Sequence, residues 1–267
     1  MNRLVFLKLG GSLITDKYSP ATARLEVINR LADEIHAALE KNPDVRLVLG
    51  HGSGSFGHSA ASKYGTRRGV TSPEGWQGFV EVWQQARKLN SIVMEALNLA
   101  GMKAISFPVS AAAITADRSV QNWDLTPIET ALSHGLLPVV YGDVVFDINL
   151  GGTILSTEDI FKHLARWLAP QRILIAGLEP GVWADYPTCS QLVDTITPQN
   201  FELILPNLSG SSAEDVTGGM RSKVEEMLDL VKEIPELEVF IFSGEQPGMI
   251  DHAFLGDPRG TKIAKDI

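Results

Sequence analysis

Cysteine is nearly absent from this 267-residue chain: Cys189 stands alone, so no internal disulfide can form, and a reducing cytoplasm is the expected compartment. It lies in a polar stretch and reads as incidental. Long apolar runs are missing too. No stretch approaches the ~20 consecutive apolar residues of a spanning helix, and the run within Met1–Leu9 reaches Lys8 too early for a signal sequence. Positive charge is scarce, with 23 Lys and Arg against 32 Asp and Glu and a formal net charge of −9. That surplus repels nucleic acid and anionic membranes, so any phosphate site must be a local concentration of donors. His36, His134, His163 and His252 lack metal-ligand spacing, and no metal-binding residues are expected. With 44% hydrophobic and 21% charged residues, disorder is excluded.

What is present is a repeating grammar of short apolar run, glycine turn and helix. Leu4–Leu9 ends at Gly10-Gly11-Ser12, after which Leu25, Ile28, Leu31, Ile35 and Leu39 recur at helical spacing across Arg24–Lys41. Val45–Leu49 is a second run that breaks into Gly52-Ser53-Gly54-Ser55-Phe56-Gly57-His58, and a helical pattern follows from about Pro73 to Ala100. Further strands are predicted at Lys103–Phe107, Leu137–Tyr141, Arg172–Ala176, Glu238–Phe242 and, at an edge, Gly260–Ile263. Helices are predicted over Ile160–Leu168 and Gly219–Val231, and a hairpin over Val144–Leu155 beside the cleft. This alternation predicts an α/β fold, a three-layer αβα sandwich with a mainly parallel central sheet. Ligands of such sheets bind beyond the carboxyl ends of the strands.

A glycine run directly after a strand lets backbone N–H groups approach a phosphate, and the next helix adds its positive end. One such loop is equally well a tight turn, whereas two after the first two strands point to neighbouring phosphate sites. Lys8 lies two residues before Gly10, within reach of the rim between the loops, and Lys17 follows in the same segment; the plain alternative for both is a solvated lysine. His58 closes the second loop and can donate a ring N–H to a phosphate oxygen, or it is a packing or capping residue. Gly218-Gly219 open a helix with Lys223 one turn in, a phosphate-facing arrangement whose spacing differs from the P-loop. Asp143 ends a strand, and Ser156-Thr157-Glu158-Asp159 opens a helix. Carboxylates there can orient Lys8, hold magnesium through water, or cap the helix. Trp76, Phe79, Val80 and Trp83 share a helical face, which is either core packing or the wall of an apolar pocket.

Lys-Leu-Gly-Gly-Ser at 8–12, Gly-Ser-Phe-Gly-His ending at His58, Tyr-Gly-Asp-Val-Val at 141–145, Ile-Leu-Ser at 154–156 and Thr-Gly-Gly-Met at 217–220 occur in an order that resembles the amino acid kinase family across nearly the whole chain. The resemblance implies an ATP- and Mg2+-dependent phosphotransferase. It also implies a single domain over 1–267, with an N-terminal acceptor-binding lobe (about 1–170) and a C-terminal nucleotide-binding lobe (about 171–267). The histidine-terminated loop is similar to the branch that phosphorylates isopentenyl phosphate, which fosfomycin kinases share. A kinase for another small phosphonate or carboxylate, and a non-catalytic nucleotide-binding protein, are the alternatives. By resemblance Lys8, Lys17, His58 and Asp143 are catalytic, and Gly54, Ser55, Gly57 and His58 bind the acceptor, to which the helical face adds Val80 and Trp83 if it walls a pocket. Lys8, Gly10, Gly11, Ser12, Gly181, Gly218, Gly219 and Lys223 bind the nucleotide. A homodimer is implied, with a small monophosphate as partner and neither nucleic acid nor membrane. The family often has Ser-Gly-Asp where this chain has Ser156-Thr157-Glu158, and a third glycine where it has Ser53.

Overall fold

Alternation along a strand decides which face of the sheet each side chain joins. In β1 (Arg3–Leu9), Val5, Leu7 and Leu9 enter one core cluster and Phe6 enters the opposite one. Lys8 has the parity of Phe6, so its ammonium emerges on that second face at the strand's carboxyl end. The computed structural model describes residues 3–208, 219–256 and 259–266.

The strands that follow are β2 (Val45–His51), β3 (Ala104–Ser106), β4 (Ala113–Ala116), β5 (Ser119–Trp123), β6 (Leu137–Tyr141), β7 (Asp143–Asp147), β8 (Gly151–Leu155), β9 (Arg172–Gly177), β10 (Thr195–Ile196), β11 (Glu238–Ser243) and β12 (Gly260–Ile263). The helices are α1 (Gly11–Ile14), α2 (Leu25–Lys41), α3 (Gly54–Tyr64), α4 (Pro73–Leu99), α5 (Thr126–Ser133), α6 (Thr157–Leu168), α7 (Phe201–Ile204), α8 (Gly219–Glu233) and α9 (Met249–Leu255). The main sheet has eight strands in the order β10-β12-β11-β9-β1-β2-β6-β3. It is parallel from β11 through β3, and β12 runs antiparallel to β11. Helices α2, α4 and α9 pack on one face, and α5, α6 and α8 on the other. The expected three-layer αβα architecture is therefore present.

Local chemistry explains the helix ends. Ser72 caps α4 by accepting the Gly75 N–H, Pro73 stands at its first position, and Gly101, at φ +85°, ends the helical path. The hairpin expected over Val144–Leu155 exists as β7 and β8, but it joins a second sheet in the order β5-β4-β7-β8. Strands β4 and β5 carry little sequence signal: β4 is only four residues long, and Ser119–Trp123 is a polar run without buried alternation. The small sheet is tied at Asp147, whose carboxylate accepts from Thr115 Oγ1 and from the backbone N–H groups of Asp117, Arg118, Asn149 and Leu150. Burial works against its ionisation, but these donors hold its pKa at about 2.

Among the described residues no helix is long and apolar enough to cross a membrane.

Candidate active site

The loops after β1 and β2 touch each other at their backbones. A Cβ on Gly11 would overlap the Gly54 amide, and one on Gly52 would lie 2.8 Å from the Gly11 nitrogen. Gly54 adopts φ +48°, and a Cβ there would also strike Thr15 Oγ1 and the Gly11 carbonyl. These glycines turn the chain, and their missing side chains also let two helix N-termini, of α1 and α3, converge. Gly54→Ala is expected to cost about 1–3 kcal/mol, the range for forced overpacking. Urea denaturation reads this, and an unchanged midpoint would show that the loops separate freely.

This convergence forms one wall of a cleft of about 560 Å³ at the carboxyl ends of β1, β2 and β9. Lys8, Gly10, Gly11, Ser12, Lys17, Gly54, Ser55 and His58 line it, with Gly181, Gly219 and Lys223 from the C-terminal part of the chain. Lys17 and Ser12 are exposed at the mouth, and His58 is half-buried in the first turns of α3. The Ser55 hydroxyl is buried, with no hydrogen-bond partner among the described residues, as a group awaiting a ligand acceptor or donor would be.

Opposite this wall, Lys8 pairs with Glu158, and both are about 5% exposed or less. Burial opposes ionisation of Glu158, but Lys8 and then Lys223 outweigh it and hold the carboxyl below its ordinary range. Parity in β1 brings Lys8 to the α6 face, and Glu158 stands in the first turn of α6. Its neighbour Asp159 forms a capping box with Ser156 and pairs with Arg67. The Ser156–Asp159 segment thus performs two of the tasks considered for it, capping through Asp159 and lysine orientation through Glu158.

Several expected residues lie elsewhere. Asp143 is fully buried, accepts from Ser110 Oγ at 2.7 Å, and does not line the cleft; burial pushes its carboxyl up to about 7 against that hydrogen bond and the Val144 N–H. Its strand parity turns it inward, toward the packing of β7. Gly57 is buried behind the loop, where a Cβ would overlap Ser53. Val80 is exposed and Trp83 half-buried on α4, and neither reaches the cleft lining. Their helix instead packs against β7 and β8, where Phe79, Val82, Val144 and Ile154 form a cluster with Trp83 at its edge. Ile154 does line the cleft, so the apolar wall meets it through that residue. Gly218 lies outside the described residues. Cys189, read as incidental, borders the cleft beside Trp183 and Tyr186.

Sequence reasoning missed Thr15, which touches both glycine loops, and the buried support under the second. His51 stacks on Tyr141 with ring centroids 5.3 Å apart and contacts the Gly52 carbonyl and Asn90. Burial lowers its pKa, against the hydrogen bonds to the Gly52 carbonyl and to Asn90 Oδ1, which favour the charged ring. No local pattern marks these residues, since Asn90 lies 39 positions from His51 and Ser55 lies 40 from Thr15.

The family model for the amino acid kinase family matches residues 3–243. The chain belongs to the amino acid kinase family. The isopentenyl phosphate kinase of Methanocaldococcus jannaschii is 34% identical, over 97% of this chain and 98% of that protein. The protein of the same name from Methanothermobacter thermautotrophicus is 35% identical, again over 97% and 98%. A crystal structure of isopentenyl phosphate kinase superposes with a TM-score of 0.82 at 30% identity, covering 98% of this chain and all of that one. For this amino acid kinase, the departure at Glu158 leaves the ion pair intact: the added methylene still brings a carboxylate to Lys8. The departure at Ser53 fills space beside Gly57.

Proposed function

We propose that this amino acid kinase transfers the γ-phosphoryl group of ATP to isopentenyl phosphate, forming isopentenyl diphosphate and ADP. The observation that carries this reading is the direct contact of two glycine loops, with Lys8, Lys17, His58 and Lys223 lining the same cleft. Relatives named isopentenyl phosphate kinase, aligned over nearly their full length, support the choice of acceptor. So does Ile154, which brings an apolar cluster to the cleft.

In this reaction an acceptor phosphate oxygen attacks the γ-phosphorus as the bond to the β–γ bridging oxygen breaks, and that oxygen leaves with ADP. Phosphoryl transfer is served mainly by alignment and charge neutralisation. In this reading Gly10, Gly11 and Ser12 cradle the donor phosphates, and Lys8 and Lys17 bridge donor and acceptor. His58 and the Ser55 hydroxyl hold the acceptor phosphate. Gly181 and Lys223 hold the nucleotide, so the lobe of about 1–170 serves the acceptor and that of about 171–267 the nucleotide. The protein's cations offset phosphate charge, and among the described residues no three His, Cys, Asp or Glu side chains gather to hold a metal. Magnesium, when bound with the nucleotide, would supply further charge neutralisation beside Lys8, Lys17 and Lys223. A cytoplasmic homodimer accompanies the reading, supported by the family's habit and the lone cysteine.

ADP release with magnesium and ATP tests this, comparing isopentenyl phosphate, dimethylallyl phosphate, fosfomycin and acetylglutamate. Turnover on the two prenyl phosphates alone is expected. Turnover only on another acceptor would reassign the substrate, and silence on all four would make the chain a nucleotide-binding protein.

A further inference from the structure

Helix α3 carries His58 and begins the loop that faces the acceptor, yet Ser53 at its N-cap makes no side-chain capping bond. The first N–H groups of a helix have no partner inside it and need one from outside. One partner comes from another loop: the Ser55 N–H donates to Thr15 Oγ1 at 3.0 Å. The same hydroxyl donates its own proton to the Gly11 carbonyl at 2.7 Å. A hydroxyl has one proton and two lone pairs, so both bonds form together. Thr15 is 1% exposed, and water has little opportunity to replace either partner.

The position of this residue adds a third link. Thr15 ends α1, a four-residue helix too short to persist by its own hydrogen bonds. It also bridges to Ala23 and so closes the base of the excursion that bears Lys17, while the Ala21 N–H donates to the Ser55 carbonyl. One buried hydroxyl therefore joins the first glycine loop to the start of α3, at the root of the Lys17 segment.

We propose that Thr15 is a positioning residue that sets the separation between the donor-side and acceptor-side loops. The inference rests on the kinase reading above. The hydroxyl touches no reacting atom; it fixes the N-terminus of α3, and with it His58, relative to Gly11. Misplacement of about 1 Å in such a site can lower turnover by ~10²-fold.

The test compares Thr15→Val, which keeps the shape without the hydroxyl, with Thr15→Ser, which keeps the hydroxyl. Steady-state kinetics with ATP and isopentenyl phosphate are joined by amide hydrogen exchange at Ser55. Thr15→Val is expected to lower kcat about ten- to hundredfold, with both KM values within about threefold, the split expected when alignment rather than ground-state binding is lost. Its Ser55 amide should exchange faster, and Thr15→Ser should recover turnover and protection. Thr15→Ala replaces Thr15→Val if the latter does not fold. Turnover of Thr15→Val within twofold of the wild type would overturn the proposal, as would Thr15→Ser being as slow as Thr15→Val, or raised KM with kcat retained. If the wild type is silent on every acceptor, the kinase reading fails by itself. Equal Ser55 protection in wild type and Thr15→Val would then still overturn the clamp.

Discussion

His58→Ala is expected to lower kcat with isopentenyl phosphate by about 10²-fold or more. Removal of one donor aimed at developing charge has an effect of that size in other enzymes. Here the imidazole sits half-buried in the first turns of α3, in the cleft that also receives Lys8 and Lys17. Because the residue is not part of the apolar core, the variant should fold, and circular dichroism and thermal melting check this. His58→Gln, which retains a donor at reduced reach, should recover part of the loss. Near-normal turnover of His58→Ala would remove the histidine from the mechanism and leave the acceptor phosphate to Ser55 and the lysines.

Glu158→Ala is expected to destabilise the fold by about 3–5 kcal/mol, the range for breaking a buried ion pair from one side. The variant leaves Lys8 in the interior without the carboxylate that compensates it, so turnover should fall as well. Urea denaturation and ADP release separate the two effects. The paired substitution Lys8→Met with Glu158→Leu should regain much of the stability, since apolar packing often replaces a buried pair without loss, while turnover stays low. If the double variant turned over normally, Lys8 would be structural only. The pH dependence has a definite sign. Glu158 is held below its unfolded pKa, so its contribution is present above the ordinary glutamate range and is lost as pH falls through the depressed folded value. Asp143 acts in the opposite sense: burial raises it to about 7, so its contribution is present below the unfolded aspartate range and is lost as pH rises toward 7. Acid titration of stability should therefore weaken in the Glu158 variant, and the decline between the unfolded aspartate range and about pH 7 should vanish in Asp143→Asn.

Much of the fold was legible because its strands are short apolar runs separated by glycines and by helices with a clear apolar stripe. Leu137–Tyr141 and Gly260–Ile263 match the predicted spans, although the latter is not the expected edge because β10 pairs with it, and the helix expected from Pro73 to Ala100 ends at Leu99. The cleft was legible in outline too, since both glycine loops and Lys223 follow from order along the chain. The apolar stripe was not: one helical face carries Trp76, Phe79, Val80 and Trp83, but which of them faces ligand depends on what packs against α4. Strands β7 and β8 occupy that side and make Phe79 core, leaving Ile154 as the residue that meets the cleft.

By itself the sequence determined the elements, their alternation and the rim at which ligands must bind, because periodicity and glycine placement act within a few residues. Only the tertiary structure decided that Glu158 rather than Asp159 reaches Lys8, that Asp143 turns inward, and that Thr15 clamps two loops. Each of those outcomes is a contact across 33 to 150 positions of chain, set by strand parity and by the close approach of backbones that no local pattern encodes.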